Sequence, residues 1–175
     1  MFEKLKALGL KDILGYAIGS EEAANKFYMT LAKDTNVNEL VAHKFEHFAH
    51  EEEIHKKVLV ELHKKLYGDC APVMPKGLPP FEGSVNVTTI YNMIEALDVA
   101  MASEDNAMRV YTYLAHHHKE YRRLFKHLAA KEKAHFHTLK IEKELYEEEI
   151  IEEGHNKAAP MPSYNDMYGR THLSP

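Results

Sequence analysis

The sequence predicts an all-α protein, a four-helix bundle made of two antiparallel hairpins joined by one long crossover. Three observations predict it. Four long stretches repeat apolar residues at spacings of three and four, the mark of amphipathic helices. One Gly/Pro-rich segment divides them into two pairs. The two pairs also carry the same text. The first reads Ala17-Ile18-x-x-Glu21-x-x-Ala24-x-x-Phe27-Tyr28-x-x-Leu31-Ala32, then Phe45-x-x-Phe48-Ala49-x-x-Glu52-x-x-His55. The second reads Ala100-Met101-x-x-Glu104-x-x-Ala107-x-x-Val110-Tyr111-x-x-Leu114-Ala115, then Phe125-x-x-Leu128-Ala129-x-x-Glu132-x-x-His135.

The helices are expected at about 10–34, 37–67, 88–116 and 120–152, within a single domain spanning 1–153. In the first, Leu10, Leu14, Ala17, Ile18, Ala24, Tyr28 and Leu31 share a face with Glu21 at its centre. The second sets Val41, Phe45, Phe48, Leu59, Leu62 and Leu66 on a stripe interrupted by Glu52 and His55. Ile90, Leu97, Ala100, Tyr111 and Leu114 surround Glu104 in the third, and Leu124, Leu128 and Leu139 flank Glu132 and His135 in the fourth. The segment Asp34-Thr35-Asn36-Val37-Asn38 offers caps for the second helix, and Asn86 or Thr88 for the third. Residues 68–87 contain Gly68, Pro72, Pro75, Gly77, Pro79, Pro80 and Gly83, so they form the crossover. Extended at ~3.3 Å per residue they reach about 66 Å, more than the roughly 45 Å of a 30-residue helix. Residues 154–175 read as an irregular tail.

The repeat sets the height of its acidic residues. Glu21 and Glu52 lie equally far from the first turn, and Glu104 and Glu132 equally far from the second, so all four fall at one level. His55 and His135 follow one helical turn along on the same faces. Chance alone supplies about 1.6 Glu-x-x-His spacings in a chain of this composition, so the spacing by itself is weak. Glu152-x-x-His155 is a third instance, without a partner in the other half. The other two stand apart because Glu52 to Glu132 and His55 to His135 share one offset.

Four carboxylates on core-facing positions need pairing or metal coordination to remain ionised. Two divalent cations would neutralise them. A Glu from each of two helices plus Glu-x-x-His from each of the other two is the inventory of a two-metal bundle site. The candidate metal ligands are therefore Glu21, Glu52, His55, Glu104, Glu132 and His135. Oxygen-rich ligation with one imidazole per metal suits iron or manganese, with zinc as an alternative.

Composition narrows the partners. Cys70 is the only cysteine, which leaves no intrachain disulfide and no thiolate metal knuckle. A net charge of −5 argues against nucleic acid. No apolar run approaches the ~18 residues of a membrane span, and the first residues lack the apolar core of a secretory signal, so the expected location is cytoplasmic.

With these residues in hand, the chain resembles the erythrin or rubrerythrin branch of the ferritin-like superfamily, over roughly residues 10–150. The resemblance implies Glu21 and Glu104 as terminal carboxylates, Glu52 and Glu132 as bridging ones, and His55 and His135 as one nitrogen ligand per metal. It implies two iron ions as cofactor. The implied activity is reduction of hydrogen peroxide or oxygen, with electrons from a separate donor protein such as a rubredoxin. A ferroxidase, or a metal-stabilised scaffold without turnover, are the alternatives. The sequence departs from rubrerythrins proper in two respects: it has no four-cysteine rubredoxin-like domain, and Ala107 stands where they carry a further Glu.

Tyr28 and Tyr111 occupy equivalent positions seven residues after Glu21 and Glu104, where a hydroxyl could hydrogen-bond a bridging carboxylate. Glu22 and Asp105 are turned about 100° away and are expected in solvent. The run His116-His117-His118 falls at a turn and needs no special function. His43, His47, His50, His63, His127 and His137 are expected mostly at the surface. The crossover is long enough to exchange hairpins between chains, so a homodimer is expected.

Overall fold

The computed structural model describes residues 4, 6–33, 39–76, 78 and 93–157, with side chains as far as residue 149. Its helices are α1 (Leu10–Ala32), α2 (Glu39–Tyr67), α3 (Met93–His117) and α4 (Arg122–Lys157), with one 3₁₀ turn, Lys119–Tyr121, before α4. The expected caps at 34–38, 86 and 88, and most of the crossover, lie outside the described residues. At its far end α4 continues through Gly154 to Lys157, where the sequence predicts the start of an irregular tail. A glycine inside a helix costs only about 1 kcal/mol relative to alanine. It does not stop a helix unless the backbone turns left-handed there, as it does at Gly68.

Gly68, at φ +72°, ends α2, and its N–H closes on the Lys64 carbonyl at 2.8 Å. The chain then runs back along α1. Lys11 Nζ lies 3.4 Å from Cys70 Sγ. A Cβ on Gly15 would come within 2.2 Å of the Val73 carbonyl oxygen, and one on Gly19 within 3.0 Å of Met74 Sδ. Two glycines four residues apart on α1 thus let the start of the crossover lie directly on the helix.

Each hairpin packs on the other within the one chain. Tyr28 of α1 reaches Glu104 of α3 while Tyr111 of α3 reaches Glu21 of α1, so these two helices run antiparallel. Lys44 of α2 pairs with the buried Glu142 of α4. The interior holds two apolar clusters. Ile13, Leu14, Leu59, Leu62, Leu114 and Phe125 belong to one, and Phe27, Leu31, Phe45, Phe48, Leu97 and Leu139 to the other. Residues 20–21, 52–55, 103–104 and 132–135 lie between them along the four helices. Among the described residues, no helix is long and apolar enough to cross a membrane.

His63 departs from its expected place at the surface. It is 2% exposed, with its ring against Tyr67 at 5.1 Å. The residue sits one position past Leu62 on the buried flank of α2, and apolar neighbours at Leu59 and Leu62 draw the imidazole inward. The other five of that set are exposed.

Candidate metal centre

All six ligand candidates are buried: Glu21, Glu52, His55, Glu104, Glu132 and His135 are each 1–4% exposed. Each stands on an apolar helix face where its repeat position demands it, one turn from Ala24, Ala49, Ala107 or another core residue. They form two groups of four that share members. Glu21, Glu52, His55 and Glu132 make one, and Glu52, Glu104, Glu132 and His135 the other, with ligand atoms of each group within 4.8 Å of one another.

The sharing follows a pattern. Glu52 turns Oε2 to His55 Nδ1 at 3.1 Å and Oε1 to His135 Nδ1 at 2.9 Å. Glu132 does the same in reverse, with Oε1 3.0 Å from His55 Nδ1 and Oε2 3.6 Å from His135 Nδ1. Glu21 faces only His55, at 3.6 Å, and Glu104 only His135, at 3.6 Å. Two carboxylates thus present one oxygen to each imidazole, and two attend a single imidazole. The imidazole centroids are 5.9 Å apart.

The donor set fits a pair of cations on a further observation. Glu52 Oε1, Glu132 Oε1 and His135 Nδ1 are buried without an aligned hydrogen-bond partner, although Glu52 Oε1 and His135 Nδ1 approach to 2.9 Å. Lone pairs that crowd together without bonding to one another are converging on common points. Leaving such groups unsatisfied in a protein interior costs ~1–3 kcal/mol apiece, which bound cations would remove.

Without cations the cluster neutralises itself with protons. Burial, then the charge of Glu52, pushes the Glu21 carboxyl up to about 8. Burial and the charge of Glu21 raise Glu132 to about 8. Burial works against a charged His55, yet the surrounding carboxylates of Glu132, Glu21 and Glu52 outweigh it and raise the imidazole to about 12. His135 is likewise raised, burial being overcome by Glu104, Glu132 and Glu52. Burial opposes ionisation of Glu104 too, but the neighbouring His135 and Glu132 hold it below the ordinary carboxylate range.

Tyr28 and Tyr111 donate to Glu104 and Glu21 respectively, each across to the other hairpin. Their place in the sequence directs them at a bridging carboxylate; they bond instead to the two that attend a single imidazole. The antiparallel run of α1 and α3 explains this, because it brings position 28 level with 104 and position 111 level with 21. Burial, then the neighbouring Glu charge, raises both phenols well above their ordinary value, so they stay neutral donors.

Three residues at the site, Glu51, Ser20 and Ser103, were not read from the sequence. Glu51 has no matching acid in the repeat, yet its Oε2 lies 2.7 Å from His135 Nε2 and its Oε1 2.5 Å from Lys131 Nζ. Burial acts to raise it, but Lys131 and His135 bring it down to about 2. Ser20 and Ser103, equivalent in the two halves, line a cavity of about 10 Å³ with Ala24, Ala107, Glu21, Glu52, Glu104 and Glu132. A repeat-based search that included small polar residues would have found the two serines. Glu22 is exposed and Asp105 half-buried, each in an ion pair on its own helix, with Lys26 and Arg109.

Comparison with known proteins decides the family. The family model described as Rubrerythrin matches residues 12–143. The chain belongs to the rubrerythrin family. Among solved structures, a hypothetical protein from Pyrococcus furiosus is 30% identical, with 82% of this chain and 93% of that one covered and a TM-score of 0.70. A Thermotoga maritima crystal structure, described as a candidate ferritin-like diiron-carboxylate protein, is 23% identical over 78% of this chain and 95% of that one, with a TM-score of 0.64. At that identity it shows the shared ferritin-like fold alone. No curated protein matches the chain.

Proposed function

We propose that this rubrerythrin-family protein is a non-haem di-iron oxidoreductase that reduces hydrogen peroxide or oxygen with electrons from a separate donor. The observation that carries the reading is the double use of Glu52 and Glu132. A carboxylate with one oxygen toward each of two imidazoles is built to span two cations, not to hold one. Two iron ions bound there would supply one electron each and polarise the oxidant.

The chain's own residues do the rest. Glu21 and Glu104 would complete the two positions, each kept in orientation by a tyrosine hydroxyl from the opposite hairpin. His55 and His135 would each present Nδ1. Ser20, Ala24, Ser103 and Ala107 keep the side of the site open by about one water-sized volume. That space supports a small oxidant and disfavours an organic substrate. Reduction of one peroxide to two waters consumes two electrons and two protons, matching one electron from each iron. The single cysteine, Cys70, cannot by itself make a four-thiolate electron-transfer centre, and in this reading a separate donor such as a rubredoxin would restore the ferrous state. We also propose a homodimer, read by light scattering; it needs no exchange of hairpins, because one chain closes the site by itself.

The test is anaerobic loading with ferrous iron, addition of one equivalent of peroxide per chain, and near-ultraviolet absorbance of the ferric product. Oxidation of two irons per peroxide, reversed by a reductant and repeatable, is the expected result. Oxidation of many irons per chain would move the protein to the ferroxidase class. Metal uptake with no oxidation would make it a scaffold.

A further inference from the structure

The two halves of the centre are related by a pseudo-twofold: Tyr28 to Glu104 answers Tyr111 to Glu21, and His55 with Glu132 answers His135 with Glu52. One contact breaks it. His135 Nε2 meets Glu51 Oε2 at 2.7 Å, with the His135 side chain 3% and the Glu51 side chain 18% exposed. The repeat offset that relates Glu52 to Glu132 relates Glu51 to Lys131. Where symmetry calls for an acid beside His55 there is a lysine, and that lysine turns to Glu51 at 2.5 Å. An ammonium has only donors, so it cannot accept an imidazole N–H.

We propose that Glu51 is a positioning residue that makes the two metal positions unequal, so that the half built on His135 takes its metal first and holds it more tightly. This rests on the two-metal reading given above. The physical reason lies in the imidazole. A proton on Nε2 donated to Glu51 leaves Nδ1 as the lone-pair atom facing Glu52, Glu104 and Glu132, and the carboxylate increases the electron density at that nitrogen. The ring is also fixed in rotation, held at Nε2 by Glu51 and on one face by Phe48 at 4.9 Å. Lys131 in turn anchors the other oxygen of Glu51, so the carboxylate keeps its aim.

The experiment titrates Zn²⁺ into the full-length metal-free protein, with calorimetry for affinity and ¹⁵N-histidine NMR to show which ring binds. Wild type is expected to bind two ions in two steps, the first equivalent shifting His135 Nδ1 ahead of His55 Nδ1. Glu51→Gln keeps the shape and removes the charge. It should weaken the tighter step by roughly tenfold to a hundredfold, as loss of an outer carboxylate does, and leave the weaker step nearly unchanged. The exchange Glu51→Lys with Lys131→Glu restores the ion pair in reverse and should send the first equivalent to His55, a result that general damage to the bundle cannot produce. Two ions bound in a single class, indifferent to Glu51→Gln, would overturn the inference while leaving the two-metal reading in place. Fewer than two ions at saturation would overturn both.

Discussion

In the first hairpin, Glu21 attends His55 and accepts a bond from Tyr111; in the second, Glu104 attends His135 and accepts one from Tyr28. The residue types match at every step, but the protonation does not. Glu21 is pushed up to about 8, whereas Glu104 is held low. The same two residue types in mirrored places acquire different charge states because their neighbours act differently: the charge of Glu52 adds to burial at Glu21, whereas His135 and Glu132 offset burial at Glu104. Duplication can thus set the positions of ligands in a bundle while the neighbours of each position set how it behaves.

The strongest way to break the comparison is to remove a shared carboxylate. Glu52→Ala or Glu132→Ala should abolish uptake of both metals, since each residue serves both imidazoles, whereas Glu21→Ala or Glu104→Ala should weaken one ion more than the other. Elemental analysis after reconstitution distinguishes these outcomes, and equal mild losses at all four positions would show that shared and unshared carboxylates do not differ.

Proton accounting gives the next largest effect. Glu21 and Glu132 keep protons up to about pH 8 in the fold but ionise near 4.5 when unfolded. Their contribution to metal-free stability is complete below about 4.5 and is lost as pH rises to 8. His55, raised to about 12 from 6.5, contributes fully below 6.5 and declines through 12. Metal-free protein should therefore melt at progressively lower temperature from about pH 5 to about pH 8. Bound metal displaces these protons, so the holo melt should fall much less. The gap at about pH 8 should be roughly 5–10 °C or more at about a hundredfold excess of metal over its Kd. Coincident apo and holo melts there would show that these carboxylates do not meet the metal.

A smaller effect sharpens the contrast between the halves. Tyr28→Phe removes a bond to the ionised Glu104, Tyr111→Phe one to the protonated Glu21. Bonds to charged groups are the stronger, so in metal-free protein at about pH 7 Tyr28→Phe should cost about 1.5–3 kcal/mol and Tyr111→Phe about 1. Chemical denaturation measures both, and a reversed order would mean that the two carboxylates have been given the wrong charge.

An effect of similar or smaller size lies on α1. Gly15→Ala would drive its methyl into the Val73 carbonyl and should cost about 1–3 kcal/mol. Gly19→Ala meets only the flexible end of Met74, and the gain of about 1 kcal/mol in helix propensity should leave it close to neutral. Equal costs at both positions would argue that the crossover does not rest on Gly15.

These residues also show what the chain discloses before it is folded. The four-helix plan and the six ligand candidates were legible because the repeat states each twice, and a carboxylate that recurs at matched core-facing positions needs a cation beside it to stay ionised. Glu51 was illegible for the same reason: it has no counterpart, and a search for matched residues passes over a broken match. His63 was misplaced because an imidazole carries no reliable sign of burial. Gly15 and Gly19 looked like ordinary helix glycines, since the backbone that rests on them comes from a distant stretch of chain.

The crossed tyrosine bonds have a consequence for the order of folding. Each hairpin can zip up from local contacts, but Tyr28 meets Glu104 and Tyr111 meets Glu21 only when the two hairpins dock. The shared carboxylates Glu52 and Glu132 come together at that same step, so neither four-residue group is complete before it. Interactions absent from the transition state change the unfolding rate and leave the folding rate nearly alone. Metal would then act on this protein as a latch, slowing its escape from the native state without hastening its arrival there.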